Sequence, residues 1–103
     1  MFVFPTLLRA EAVSSLEKAN LAYQEGNFAS AITSYESAIR EGANNGHVRY
    51  NLGNAYYRVG KYGRAIAEYR KALLEFPSDP DIRANLNLTR GLAKDKIDSG
   101  DRQ

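Results

Sequence analysis

Shifted by 34 positions, this chain lies on itself. Asn20 falls on Asn54, Tyr23 on Tyr57 and Gly26 on Gly60. Phe28 falls on Tyr62, Ala31 on Ala65, Ile32 on Ile66, Tyr35 on Tyr69, Ala38 on Ala72 and Ile39 on Leu73. A further step carries Asn51 to Asn85 and Leu52 to Leu86. No insertion is needed. A fixed period of this size points to an array of stacked units, because one such unit cannot bury its apolar face alone.

Each unit reads as two helices. In the second unit Leu52, Ala55, Tyr56 and Val59 recur at steps of three and four. Tyr62, Ala65, Ile66, Tyr69, Ala72 and Leu73 do the same. These are two apolar stripes of helical period. Gly60 stands between them, and Gly26 stands at the same place in the first unit. A helix that ends in a left-handed residue needs glycine there, since glycine has no Cβ to clash. Ala31 and Ala65 are small where paired helices should cross closely. In "FPSDPD", Pro77 stops a helix, and Asp79 can cap the next one with Pro80 in its first turn.

The pattern therefore predicts an all-α fold, with helices over 12–25, 28–41, 46–59, 62–75 and 80–94. That makes two full repeats, 12–45 and 46–79, followed by a capping helix over 80–94. The outer face of that last helix carries Arg83, Asn87, Arg90 and Lys94, as a cap facing water requires. Residues 95–103 are polar and are expected to fray.

Composition limits the functions open to such an array. At 103 residues the chain suits one domain with one modest core. A net charge of +2 is too weak to argue for nucleic acid. The absence of cysteine excludes a disulfide, a thiolate nucleophile and a cysteine zinc site. No stretch reaches the roughly 18 apolar residues of a membrane span. The opening "MFVFPTLLRAEA" is apolar until Arg9. It reads either as the stump of a secretion signal, with "AEA" like a small-x-small cleavage site, or as a start-site artefact. Residues 1–11 are accordingly set apart from the repeat domain.

Nothing in the chain assembles a catalytic centre. The one histidine, His47, falls at a helix start, with the role of a surface or capping residue. "GKYGRA" lacks the spacing of a phosphate loop. Asp79 and Asp81 are explained by capping. The expectation is a non-enzyme with no cofactor and no metal.

The repeated residues resemble those of the tetratricopeptide repeat family. Leu52, Gly53, Tyr56, Gly60, Tyr62, Ala65, Tyr69, Ala72 and Pro77 stand where that family's 34-residue pattern places small or aromatic residues and a proline. The first unit matches from Ala19 to Ile39 but has Ala43 where proline is usual. Ser15 and Arg49 replace the aromatic common near the start of each unit. The resemblance covers residues 12 to about 93. It implies a right-handed superhelical stack of helix-turn-helix units that acts as a protein-interaction scaffold.

In such a stack the first helix of each unit lines a concave face. That assigns Leu16, Asn20 and Tyr23 from the first unit to a peptide-binding groove. Tyr50, Asn51, Asn54, Tyr57 and Arg58 come from the second, and Asn85 and Leu88 from the last helix. Asparagine suits this role, because its amide both donates and accepts and so grips a peptide backbone at two points. Tyrosine gives large contact area at low entropic cost. A clamp for carboxylate-ended chaperone tails is not expected. Asn20 and Asn51 match it, but Leu16, Asp81 and Asn85 occupy its cationic places.

A narrower resemblance lies in "YNLGNAYYRVGKYGRAI" and "PSDPDIRANLNLTR", which are similar to the repeat segment of proteins from bacterial aerotolerance operons. It implies a bacterial periplasmic or envelope location, with a cytoplasmic one as the alternative. The chain would then be part of a longer protein, reaching the membrane only through other parts of it. The expected partner is a protein or peptide. Self-assembly through helix faces or the apolar N-terminal segment is the rival function.

Charge divides unevenly between the repeats. Residues 12–45 hold two basic and four acidic side chains, and residues 46–79 hold six basic and three acidic. This marks a solvated convex surface, or else one where Arg49, Arg58, Lys61 and Arg64 steer an anionic partner or a second copy.

Overall fold

Among the described residues five helices follow one another, α1 (Val3–Gln24), α2 (Phe28–Arg40), α3 (Gly46–Arg58), α4 (Tyr62–Glu75) and α5 (Pro80–Asp101). The computed structural model describes the backbone of residues 3–101 and the side chains of residues 10–98. No strand occurs among the described residues. Each helix packs on its neighbour in sequence, so α1–α2 and α3–α4 are hairpins and α5 covers the second hairpin.

The turns repeat as the sequence does. Gly26 has φ 79° and Gly60 has φ 80°. After each, the chain closes the same motif: Asn27 N–H donates to Ala22 O at 2.8 Å, and Lys61 N–H donates to Tyr56 O at 3.0 Å. These bonds satisfy carbonyls that the helix end would leave open. Gly42, φ 116°, ends α2 in the same way, with Ala43 N–H donating to Ala38 O. The starts of α3 and α5 are capped by side chains, while that of α4 is not. Asn45 Oδ1 accepts from Val48 N–H at 3.1 Å, and Asp79 Oδ1 accepts from Ile82 N–H at 3.0 Å.

Close approach sets the core. Ala31, Ala38, Ala65 and Ala72 are fully buried where hairpin partners meet. Gly53 of α3 lies against the Tyr69 ring of α4 so closely that a Cβ there would stand 2.7 Å from Cε1. Tyr35 and Tyr69 fill equivalent places one repeat apart, and Leu52, Tyr56, Ile82 and Leu86 close the second layer. Arg83, Asn87, Arg90 and Lys94 are all exposed on the outer face of α5.

The structure departs from the sequence reading at both ends of the stack. The helix expected over 12–25 begins at Val3, and the one expected over 80–94 runs to Asp101. Pro5 falls in the first turn of α1, where a missing N–H costs no helical bond. Residues 95–101 contain no proline, and extending an existing helix needs no new nucleus. Residues 95–98 are exposed, yet the helix continues through them. The side chains of residues 1–9 and 99–103, and the backbone of residues 1–2 and 102–103, lie outside the described residues.

Candidate peptide-binding groove

Two adjoining hollows run across α1, α3 and α5. The first, about 230 Å³, is lined by Asn20, Tyr23, Gln24, Tyr35, Asn51 and Asn54. The second, about 190 Å³, takes Tyr23 and Asn54 again and adds Tyr57, Arg58, Asn85 and Leu88, with Tyr69 at its base. Eight of the ten residues assigned to the groove from sequence are brought together here. Leu16 and Tyr50 line neither hollow. Leu16 packs on the core, and Tyr50 leans on Tyr69 with ring centroids 5.9 Å apart.

The asparagines do not share one role. Tyr35 and Tyr69 are almost wholly buried, and a buried phenol must find an acceptor. Tyr35 O–H donates to Asn20 Oδ1, and Tyr69 O–H donates to Asn54 Oδ1 at 2.7 Å. The same bond thus pins the first helix of each repeat to the second. Asn54 Oδ1 also accepts from Asn85 Nδ2 at 3.2 Å, and Asn85 Nδ2 donates to the Tyr50 hydroxyl at 2.9 Å. This network ties α3, α4 and α5 together. The oxygen of each asparagine thus also serves the fold: Asn54 Oδ1 accepts two bonds and Asn20 Oδ1 one, so Asn54 is left with its N–H groups to grip a peptide. Asn51 is different. It is half-buried, lines the first hollow and its side chain makes no hydrogen bond among the described residues, so the amide's donor and acceptor both stay open.

Burial pushes the Tyr69 phenol well above the ordinary tyrosine range, with Tyr50 adding to the shift. Burial, then Tyr23, pushes Tyr35 up as well. Both phenols remain neutral donors at physiological pH, which keeps the Asn–Tyr bonds in place.

The rim is aromatic. Tyr23 meets Phe28 edge-on, with ring centroids 5.1 Å apart, and the Arg58 guanidinium sits 4.3 Å from the Phe28 centroid. One repeat on, Tyr57 approaches Tyr62 at 5.9 Å, and Lys96 Nζ lies 5.7 Å from the Tyr62 ring. Arg58 is therefore held on an aromatic face that joins the two repeats. Among the described residues it is the one charged side chain lining either hollow. The surface is otherwise amide, phenol and leucine, which suits an extended, weakly charged peptide. His47 takes no part, since its ring packs 4.6 Å from that of Phe76.

A known family, the tetratricopeptide repeat, matches residues 16–81, more than half of the chain. Among curated proteins, none matches closely enough to count as a relative. No helix of the described residues is long and apolar enough to cross a membrane.

Proposed function

This chain belongs to the tetratricopeptide repeat family, whose repeats generally mediate protein–protein interaction without catalysis, and we propose that it holds an extended peptide segment of a partner in the groove across α1, α3 and α5. The carrying observation is Asn51, an open amide in the first hollow, beside Tyr23 and Tyr35. It offers a backbone-gripping donor and acceptor in a site otherwise built to bury side chains. Asn54 contributes only its amide N–H groups. Leu88 and Tyr57 supply the apolar pocket beside it.

A peptide selected on this chain from a random extended library provides the probe. Asn51→Ala removes two hydrogen bonds at no cost to the fold. It is expected to weaken that peptide about 10-fold in titration calorimetry and to leave the melting temperature unchanged. Undiminished affinity in the variant would place the peptide elsewhere and sink the reading.

Self-assembly is the second reading. Its support is Leu74, Ile97 and Leu21, which remain 86%, 65% and 56% exposed. Sedimentation of the intact chain decides it, because a monomer across the micromolar range removes the case. The resemblance of "DPDIRANLNLTR" to aerotolerance-operon proteins supports placing the chain in a bacterial envelope. Protection of an epitope-tagged chain from protease added to cells with opened outer membranes would contradict that placement.

A further inference from the structure

The other side of α3 carries a hollow of a different kind. Arg49, Leu52 and Tyr56 recur there at helical spacing, turned away from Asn51 and Asn54. With α2 and α4 they enclose about 330 Å³ on the back of the stack. This hollow shares no residue with the groove. Ile39, Leu52 and Tyr56 line its apolar part. Four cations surround them, Arg40, Arg49, Arg64 and Lys71, against two carboxylates, Glu36 and Glu68.

The charges are not mutually satisfied. Both ion pairs among the described residues converge on Glu68, from Arg49 at 2.7 Å and Lys71 at 3.5 Å. Glu68 is only 5% exposed, so its carboxylate is committed to Arg49. Arg40 donates to Ser37 Oγ, and Arg64 lies 5.9 Å from the Tyr56 ring. Neither meets a carboxylate among the described residues, and both are exposed. Guanidinium forks of this sort bind carboxylates with two parallel hydrogen bonds. With Arg49 and Glu68 paired, Arg40, Arg64 and Lys71 still outnumber Glu36, and a concave lining with such an excess attracts the opposite charge.

We propose that this hollow is a second binding site, one that takes the carboxylate side chains of an acidic polypeptide segment, with Arg40 and Arg64 as its anchors. The apolar patch between the cations favours a ligand whose carboxylate rides on an aliphatic stem, as glutamate's does, over a bare inorganic anion. The site works independently of the groove, so the chain can join two partners, one on each face.

The test uses a fluorescent peptide of about ten residues containing several glutamates and two leucines, titrated by anisotropy at about 25 mM and about 300 mM salt. Binding is expected at low salt and should weaken at high salt. Arg40→Gln with Arg64→Gln should weaken it about 10-fold at low salt. Lys18→Gln with Lys94→Gln changes net charge equally at exposed positions outside the hollow, and should leave it unchanged. Asn51→Ala should leave it unchanged too. Absence of binding at low salt, or an equal loss in the control pair, overturns the proposal. So does displacement of the peptide by inorganic phosphate at matched charge, which would make the hollow a small-anion site. Circular dichroism of each variant separates loss of binding from loss of fold.

Discussion

Tyr69→Ala is expected to destabilise this chain by about 3–5 kcal/mol, the range for deleting a large buried aromatic side chain. Tyr69 is 1% exposed and lies where α3 and α4 come closest, over Gly53. Gly53, the facing residue on α3, has no side chain to fill the space. The phenol also holds Asn54, which in turn receives Asn85. One truncation therefore opens a cavity and loosens the tie to α5. Domains of this size have a total stability of about 5–15 kcal/mol, so the variant should stand near its unfolding midpoint in mild urea. Tyr69→Phe separates the two contributions. It keeps the ring and loses one hydrogen bond, and it should cost about 1 kcal/mol. Equilibrium urea unfolding of the three proteins reads both values. If Tyr69→Ala costs no more than Tyr69→Phe, the ring is not the wedge between α3 and α4 that the packing makes it.

The repeat made most of this architecture readable beforehand. Gly26 and Gly60 marked the two hairpin turns because a positive φ has few alternatives to glycine. Asp79 before Pro80 marked the start of α5 because capping and proline's missing N–H act within a few residues. Both signals are local. The polar outer face of α5 was legible for the same reason, since four polar side chains at helical spacing declare the side that meets water.

What escaped the sequence depends on contacts across helices. Asn20 and Asn54 were readable as concave residues, but not as acceptors for Tyr35 and Tyr69. The clue was present, since both pairs are separated by fifteen residues and both repeat. It needs the premise that a core tyrosine must have a partner. Gly42 escaped because no equivalent glycine follows one repeat later, where Phe76 stands instead. The first helix was read too short because an apolar opening segment has no polar face to set its period. Glu68 escaped because a charge is read as surface by default, although it lies three residues from Ala65 and four from Ala72, on the buried side of α4.

That glutamate governs the second large effect. Arg49→Ala is expected to cost about 3 kcal/mol, the low end of the range for breaking a buried ion pair. The loss comes less from the missing attraction than from the Glu68 carboxylate left behind with 7% of its side chain exposed. Lys71, at 3.5 Å, can compensate in part, which is why the low end applies. Replacing both partners tests the cause. Arg49→Met with Glu68→Leu removes the buried charge as well as its partner and fills similar volume. The double variant should recover most of the loss, and the coupling between the two sites should exceed about 1 kcal/mol in a double-mutant cycle. Urea unfolding of the four proteins supplies the cycle. Additive losses would mean that Glu68 reaches water, and that the α3–α4 junction is held by its apolar stripe alone. Coupling would instead make the pair a fixed part of the fold. Arg49 would then be unavailable to a ligand, and any anion attracted to the back of the stack would have to be held by Arg40, Arg64 and the free share of Lys71.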